Sequence, residues 1–295
     1  MGKTYIILNP AAGSVNDVDT LVARIRRIPN AQVFISANAG DAIHATKKAL
    51  RHGYDMIVAA GGDGTLNEVV NALPESDRKI ALGLIPLGTG NDFARTFDIP
   101  TDIDDAIAVI AAHHIRPIDL VRFKSDEVRY FVNVSAGGFS GLVGEKLTPE
   151  MKKTWGPLAY LRGAAAALSD LRAYRTTVSL DNTESLKFDL YDVLIANGRY
   201  VGGGTNIAPE ASVDDGMLDV ILIREQSAAE LAVLAARLAL GNHLSTEGVV
   251  FRRAKRVTVN AEPRMQFNVD GELVGNDPAE FEVLPRELQF VVPKP

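Results

Sequence analysis

Ala59-Ala60-Gly61-Gly62-Asp63-Gly64-Thr65-Leu66-Asn67-Glu68 is the densest signal in this chain of 295 residues. It follows the apolar run Met56–Ala60, which reads as a buried strand. It leads into Leu66–Leu73, whose apolar spacing reads as a helix. Three glycines around one aspartate let the backbone approach a ligand closely and present consecutive N–H groups. The helix N-terminus behind them favours negative charge, so a phosphate chain is the natural guest. An aspartate in such a loop suits either magnesium beside a phosphate or a substrate hydroxyl. The plain alternative is a strand–turn–helix corner with Asp63 as its N-cap.

The same alternation surrounds this stretch. Tyr5–Leu8, Gln32–Ile35, Ala81–Ile85 and Arg116–Asp119 read as further buried strands, and Val18–Arg27, Asp41–His52 and Ile103–Ala112 as helices. This predicts a parallel sheet covered on both faces, with ligands bound beyond the carboxyl ends of the strands. Three strands end there in conspicuous loops: Asn9–Ser14, Gly61–Thr65 and Pro86–Asp92. The last, Pro86-Leu87-Gly88-Thr89-Gly90-Asn91-Asp92, is again Gly-rich and carries a carboxylate. If neighbouring strands supply both loops, Asp63 and Asp92 converge at one sheet edge.

From Leu120 the period changes to two. Val128–Val134, Thr177–Leu180, Leu186–Ala196, Leu218–Ile223, Arg256–Val259, Gln266–Val269, Glu280–Val283 and Leu288–Val292 read as short strands. Turns at Asp181-Asn182, Asp215-Gly216 and Asp270-Gly271 separate them. The pattern predicts an antiparallel β-sandwich or barrel-like second domain. Two helical insertions, Trp155–Tyr174 and Ser227–Leu240, interrupt it, the second opened by a Ser227…Glu230 capping box. The expected domains are 1–121, α/β, and 122–295, β, with the last strand free to return to the first.

Composition closes off several classes. There is no cysteine, hence no disulfide framework, thiol nucleophile, iron–sulfur cluster or Cys-based zinc site. A net charge of −6 argues against a nucleic-acid binder. No apolar run approaches a membrane span, and Met1–Thr4 enters the first strand without the pattern of a secretory signal, so a cytoplasmic protein is expected. The five histidines form no H-E-x-x-H and read as solvated helix positions. No P-loop G-x-x-x-x-G-K-[ST] occurs, neither Gly62-Asp63-Gly64 nor Gly88-Thr89-Gly90 extends to G-x-G-x-x-G, and the protein-kinase H-R-D and D-F-G are missing.

Asn9-Pro10…Gly13, Gly61–Glu68 and Gly88-Thr89-Gly90-Asn91-Asp92-Phe93-Ala94 together resemble the soluble diacylglycerol kinase and sphingosine kinase catalytic family, in particular its bacterial lipid kinases. The resemblance continues through Asn197–Gly204, Ala208-Pro209…Asp214-Asp215-Gly216 and Asn268-Val269-Asp270-Gly271-Glu272. It implies an NAD-kinase-like α/β domain and a β-sandwich domain with the active site in the cleft between them. It implies ATP against Asn9, Pro10, Ala11, Ala12 and Gly13 and against Gly62, Asp63, Gly64, Thr65, Leu66, Asn67 and Glu68, with Thr89 and Ser36 also in contact; Ser36 stands where threonine is usual. It implies a structural Mg²⁺ at the Asp214-Asp215-Gly216 turn, held by the Asp215 carboxylate and the Ser212 and Met217 carbonyls. It also implies Glu272 as general base toward a lipid hydroxyl, with Asp63 and Asp92 organising Mg²⁺ and water. Asp63 is the competing base. On residues alone, Val269–Glu272 reads as a solvated hairpin turn.

The expectation is an ATP- and Mg²⁺-dependent kinase of a membrane lipid such as diacylglycerol, with no nucleic-acid partner and a homodimer allowed for. A soluble-substrate kinase of the NAD-kinase type and a non-catalytic lipid-binding member stand as alternatives. Residues 146–175 carry six basic residues against Glu150 and Asp170, with Trp155, Tyr160 and Tyr174. That segment reads either as a peripheral contact with the anionic inner face of the membrane or as a surface helix packing Leu158, Leu161 and Leu168 inward.

Overall fold

A computed structural model describes residues 2–13, 15, 17–74, 79–140 and 171–294. The chain divides into two units, Met1–Asp119 with Arg286–Pro295, and Leu120–Pro285. In the first, β1 (Thr4–Leu8), β2 (Ala31–Ile35), β3 (Met56–Gly61) and β4 (Ala81–Pro86) lie parallel in the order β2-β1-β3-β4. The end of β17 (Ala279–Val291) adds a parallel strand beside β4 through Gln289 and Phe290. Strands β1, β3 and β4 are buried along their whole length, which is why their sequences are continuous apolar runs.

The helices of this unit are α1 (Val18–Ile25), α2 (Asp41–Arg51), α3 (Asp63–Ala72), α4 (Asp92–Thr96) and α5 (Ile103–Ala112). Asp17 and Asp102 begin α1 and α5, each carboxylate accepting two first-turn amides. Leu21 and Ile25 of α1 and Ile107 and Ile110 of α5 pack on Ile6, Leu8, Val58 and Ala60. Phe93 and Phe97 close on Phe290 with ring centroids 5.0 and 5.7 Å away. Those rings fix the last strand in this unit's core.

The second unit is antiparallel. It contains β6 (Val128–Phe131), β7 (Val134–Gly138), β8 (Tyr174–Leu180), β9 (Glu184–Ala196), β12 (Leu218–Arg224), β13 (Val249–Ala254), β14 (Arg256–Glu262), β15 (Gln266–Val269) and β16 (Glu272–Asn276). The small hairpin β10 (Tyr200–Val201) and β11 (Thr205–Asn206) stands apart. Long β9 pairs β8 along its first half and both β7 and β12 along its second. Alternation along β12 sends Leu218, Val220 and Leu222 into one core with Phe123, Phe267 and Phe281. Ile221 goes to the opposite core, against Leu234 of α6 (Ala228–Ala239). The expected α/β plus β-sandwich class is the one observed.

Several local expectations differ from the structure. Gln32–Ile35, expected buried, lies in β2, which is only partly buried, and Arg116–Asp119 lies in the longer β5 (Ile115–Lys124), whose first residues are exposed and which pairs β17 and β6. Glu280–Val283 and Leu288–Val292 are one strand, β17, despite Pro285. Arg286 takes a left-handed φ of 55° there and its N–H donates to Asp119 Oδ1 at 2.8 Å. Val128–Val134 is two strands, because Val132 and Asn133 are drawn out of the ladder by side-chain hydrogen bonds described below. Of the expected helix Trp155–Tyr174, residues 155–170 lie outside the described residues, 171–173 are irregular and Tyr174 opens β8. His243 is no solvated helix residue but 2% exposed, its Nε2 2.7 Å from the Ile207 carbonyl oxygen. Among the described residues no helix is long and apolar enough to cross a membrane.

One buried acid governs a pH response. Asp192 on β9 is 4% exposed; the Ser140 hydroxyl donates to its Oδ2, and Oδ1 meets no donor among the described residues. Burial pushes its carboxyl up to about 7, against the opposing hydrogen bonds from Ser140 and Val193. The folded value lies above the unfolded one, so stability is full below about pH 4 and falls as pH rises through about 7. Asp192→Asn is expected to remove that slope and to be more stable above neutrality by up to about 4 kcal/mol. Urea unfolding at about pH 4 and about pH 8 checks it; an unchanged slope in the variant would refute the assignment.

Candidate active site

The three loops meet beyond the carboxyl ends of β1, β3 and β4. Asn9 is the first joint. Its N–H donates to the Ala60 carbonyl at 2.9 Å, its Oδ1 accepts from Ala11 N at 2.9 Å, and its Nδ2 donates to Thr65 Oγ1 at 3.2 Å. One side chain thus ties the turn Asn9–Ala12, with Pro10 between, to the first turn of α3. Gly13 lies against Thr89, where an added Cβ would fall 2.4 Å from Thr89 Cγ2. Gly62 and Gly88 approach backbone to backbone; a Cβ on Gly88 would stand 2.6 Å from Gly62 Cα. That approach leaves no room for a side chain at Gly88.

Asp63 is the second joint. The helix starts at Asp63, three residues before the expected Leu66, because Gly62 serves as the extended N-cap and an acid is favoured in the first turn. Asp63 therefore does not cap its own helix. Its Oδ2 accepts from Asp92 N at 3.1 Å and its Oδ1 from Phe93 N at 3.2 Å, so it closes the start of α4 instead. Burial raises its pKa, while the amides of Phe93, Asp92 and Asn91 oppose that rise. Asp92 itself opens α4 at 7% exposure. The two acids do meet at one edge. Asn91, which the motif contained without a role, holds the loop from a left-handed φ of 50°, accepting from Gly88 N at 3.0 Å and donating to Gly88 O at 2.8 Å.

The remaining positions of the expected nucleotide face divide. The α3 N-terminus, with Gly62, Asp63, Gly64 and Thr65, presents first-turn amides of the kind that hold phosphate oxygens. Leu66 is a core residue and Asn67 is 4% exposed. Glu68 faces α2: its Oε1 and Oε2 accept from Gly40 N and Ala42 N, each at 3.1 Å. It caps a helix that Gly40 cannot cap. The Ser36 hydroxyl donates to Leu8 O at 3.3 Å, which places it at the end of β2 beside β1.

In the second unit, Glu272 is exposed and opens β16 directly after the turn Asp270-Gly271. Ser212, Asp215 and Met217 share one turn before β12. Asp215 Oδ1 accepts from Met217 N at 3.0 Å, and its other oxygen pairs with Arg253. Arg253 also holds Asp219 Oδ1 at 3.0 Å across the β12–β13 ladder, where the two residues are direct partners. Asp219 is 1% exposed; burial pushes it up to about 6 although Arg253 draws it down. Its Oδ2 meets no donor among the described residues. The turn's carboxylate and carbonyl oxygens are the kind that suit a hard divalent cation, although among the described residues no three His, Asp or Glu side chains gather to hold one. Arg253 was missed from sequence because only strand register brings it to these acids.

The Asp63 clamp makes a stability prediction. Asp63→Ala leaves two amides of α4 without their acceptor and is expected to cost about 1–3 kcal/mol, with Asp63→Asn, which keeps one acceptor, less affected. Equilibrium urea unfolding measures both. A loss under about 0.5 kcal/mol for the alanine variant would show that the carboxylate clamps nothing.

Two family models divide the chain between them. The diacylglycerol kinase catalytic domain matches residues 3–123. The YegS C-terminal NAD kinase beta sandwich-like domain matches residues 133–292. The diacylglycerol kinase of Bacillus subtilis (strain 168) is 34% identical over 100% of this chain and 97% of its own length. The diacylglycerol kinase of Staphylococcus haemolyticus (strain JCSC1435) is 34% identical over 98% of this chain and 88% of its own. Among solved structures, a diacylglycerol kinase from Bacillus anthracis str. Sterne aligns with a TM-score of 0.76 at 22% identity, over 99% of this chain and 97% of that one, which shows a common fold. With both domains matched in order and relatives similar from end to end, the chain belongs to the diacylglycerol kinase catalytic-domain family.

Proposed function

We propose that this protein is an ATP-dependent lipid kinase that transfers the γ-phosphate to the hydroxyl of a membrane lipid, diacylglycerol. The observation that carries the reading is the end-to-end likeness to diacylglycerol kinases at 34% identity. The first unit supplies the phosphate-binding chemistry: first-turn amides of α3 beside a backbone-on-backbone contact of Gly62 and Gly88. Asn9, Pro10, Ala11, Ala12, Gly13, Ser36, Gly62–Glu68 and Thr89 form the nucleotide side. Within it, Glu68 and Leu66 support the face through α2 and the core.

Glu272 takes the proton of the lipid hydroxyl as that oxygen bonds to the γ-phosphorus and the bond to the β-phosphate oxygen breaks. Two observations support Glu272 over Asp63. Both Asp63 oxygens accept amides of α4, whereas Glu272 is exposed at a strand start. Asp92, fixed at the start of α4 by that clamp, stands at the phosphate side with Asp63. When bound, Mg²⁺ neutralises anionic charge, and Asp215 with the Ser212 and Met217 carbonyls would hold it at the β12 turn. The protein works peripherally at the inner face of the membrane, where an anionic surface would attract the basic residues of 146–175; residues 146–170 of that segment lie outside the described residues.

Transfer of ³²P from ATP into vesicles of phosphatidylglycerol containing dioleoylglycerol tests the reading. Glu272→Gln is expected to lower kcat by about 100- to 10,000-fold while nucleotide affinity stays unchanged. Wild-type protein that labels no lipid would overturn the kinase reading, and full activity in Glu272→Gln would overturn the base.

A further inference from the structure

The turn that carries Glu272 is bolted to a distant segment by one side chain. Asp270 Oδ1 accepts from Val134 N at 3.0 Å and Oδ2 from Val132 N at 3.3 Å, while Asp270 N donates back to Val134 O at 3.0 Å. The residue does this from a left-handed φ of 46°, followed by Gly271 at 90°. Asn268 Oδ1 accepts from Gly271 N at 2.9 Å, and Asn268 O accepts from the Ser135 hydroxyl at 2.9 Å. Glu272 pairs with Val269 at the start of β16, ahead of a register shift between Asn268 and Phe267.

The segment that receives these bonds is held in turn by Asn197-Gly198. Asn133 O accepts from Asn197 N and from Gly198 N, both at 2.8 Å, and Asn197 Nδ2 donates to Val132 O at 2.7 Å. Asn133 Nδ2 donates to Tyr200 O at 2.6 Å. Asn197 is 0% and Asn133 7% exposed. A Cβ on Gly198 would lie 2.0 Å from Asn133 Oδ1. These bonds explain why the expected single strand Val128–Val134 is broken. Three widely separated pieces of sequence form one polar joint, buried at Val132–Val134 and Asn197-Gly198 and reaching the surface through Asp270-Gly271, next to Glu272.

We propose that Asp270 is a positioning residue for Glu272, and that Asn197-Gly198 sets it through Val132–Val134; this rests on the reading of Glu272 as general base. A carboxylate is needed because both partners are amide donors, and an amide side chain turns one acceptor into a donor facing an N–H. Asn tolerates the left-handed backbone, so Asp270→Asn tests the hooks without the strain. Gly198→Ala presses on Asn133 from outside the turn and is expected to act in the same way.

Kinetics on dioleoylglycerol in phosphatidylglycerol vesicles decide it. Asp270→Asn and Gly198→Ala are each expected to lower kcat about 100-fold with KM for ATP unchanged. The acidic limb of the kcat–pH profile should move by about half a unit or more, since a base held in a new environment titrates differently. Added to Glu272→Gln, either change should cost no further rate, because residues that act as one unit are not additive. A wild-type kcat in Asp270→Asn overturns the proposal. So does a rate loss that leaves the pH limb in place and persists in full beside Glu272→Gln, which is what a merely structural role gives. Glu272→Gln at wild-type rate removes the base itself and the proposal with it, an outcome read from that single variant alone.

Discussion

The carboxylate of Asp63 is the bond on which the first unit's site depends. Parallel strands deliver their loops to one edge but do not join them, and each loop is separated from the next by a helix. Asp63 reaches from the first turn of α3 to the amides of Asp92 and Phe93 and so makes two strand–loop–helix corners into one surface. Asn9 extends the same surface to the loop after β1 through Thr65. A neutral side chain of that size would leave buried amides unmatched, so the acid is retained although burial raises its pKa.

The second unit solves a related problem with different elements. An antiparallel sheet puts its turns at its ends, where they are free to sway unless something beyond the ladder holds them. Asp270 supplies that hold, and it can because the chain interrupts the strand at Val132-Asn133, exposing two amides that a regular ladder would have used. The interruption in turn needs Asn197 to satisfy Val132 O and the Asn133 carbonyl. Removing any one member leaves buried polar groups of the others unpaired, which makes the joint cooperative.

Much of this was legible in the residues, and the failures have physical causes. Strands β1, β3 and β4 and helices α2 and α5 were readable within a residue or two, because burial on both faces and an apolar stripe leave strong periodic signals. The start of α3 was misplaced because glycines read as loop, although Gly62 in extended backbone begins the helix one residue before Asp63. Glu280–Val283 and Leu288–Val292 read as two strands but form one, held between them where Arg286 N donates to Asp119, which is remote in sequence. The motifs located the acids but not their partners. Glu68 on α2 and Arg253 on Asp215 depend on which elements lie side by side, and no local pattern encodes that.

The acids of the motifs therefore do not form one class. Asp63, Glu68 and Asp270 each give both oxygens to backbone amides, and a carboxylate so placed is fixed in direction. A proton taken up there would cost one of the bonds that hold the group. Asp215 accepts from Met217 N and pairs with Arg253, and its place is the β12 turn proposed for Mg²⁺ rather than the proton transfer. A general base needs the opposite arrangement, a carboxylate whose approach to substrate is open and whose backbone is held by others. Among the motif acids of the second unit, Glu272 is the exposed one, at a strand start whose preceding turn Asp270 holds, which is why it is the proposed base. On the proposed reading, fixing the neighbouring turn sets where the base begins while leaving its carboxylate exposed to take a proton.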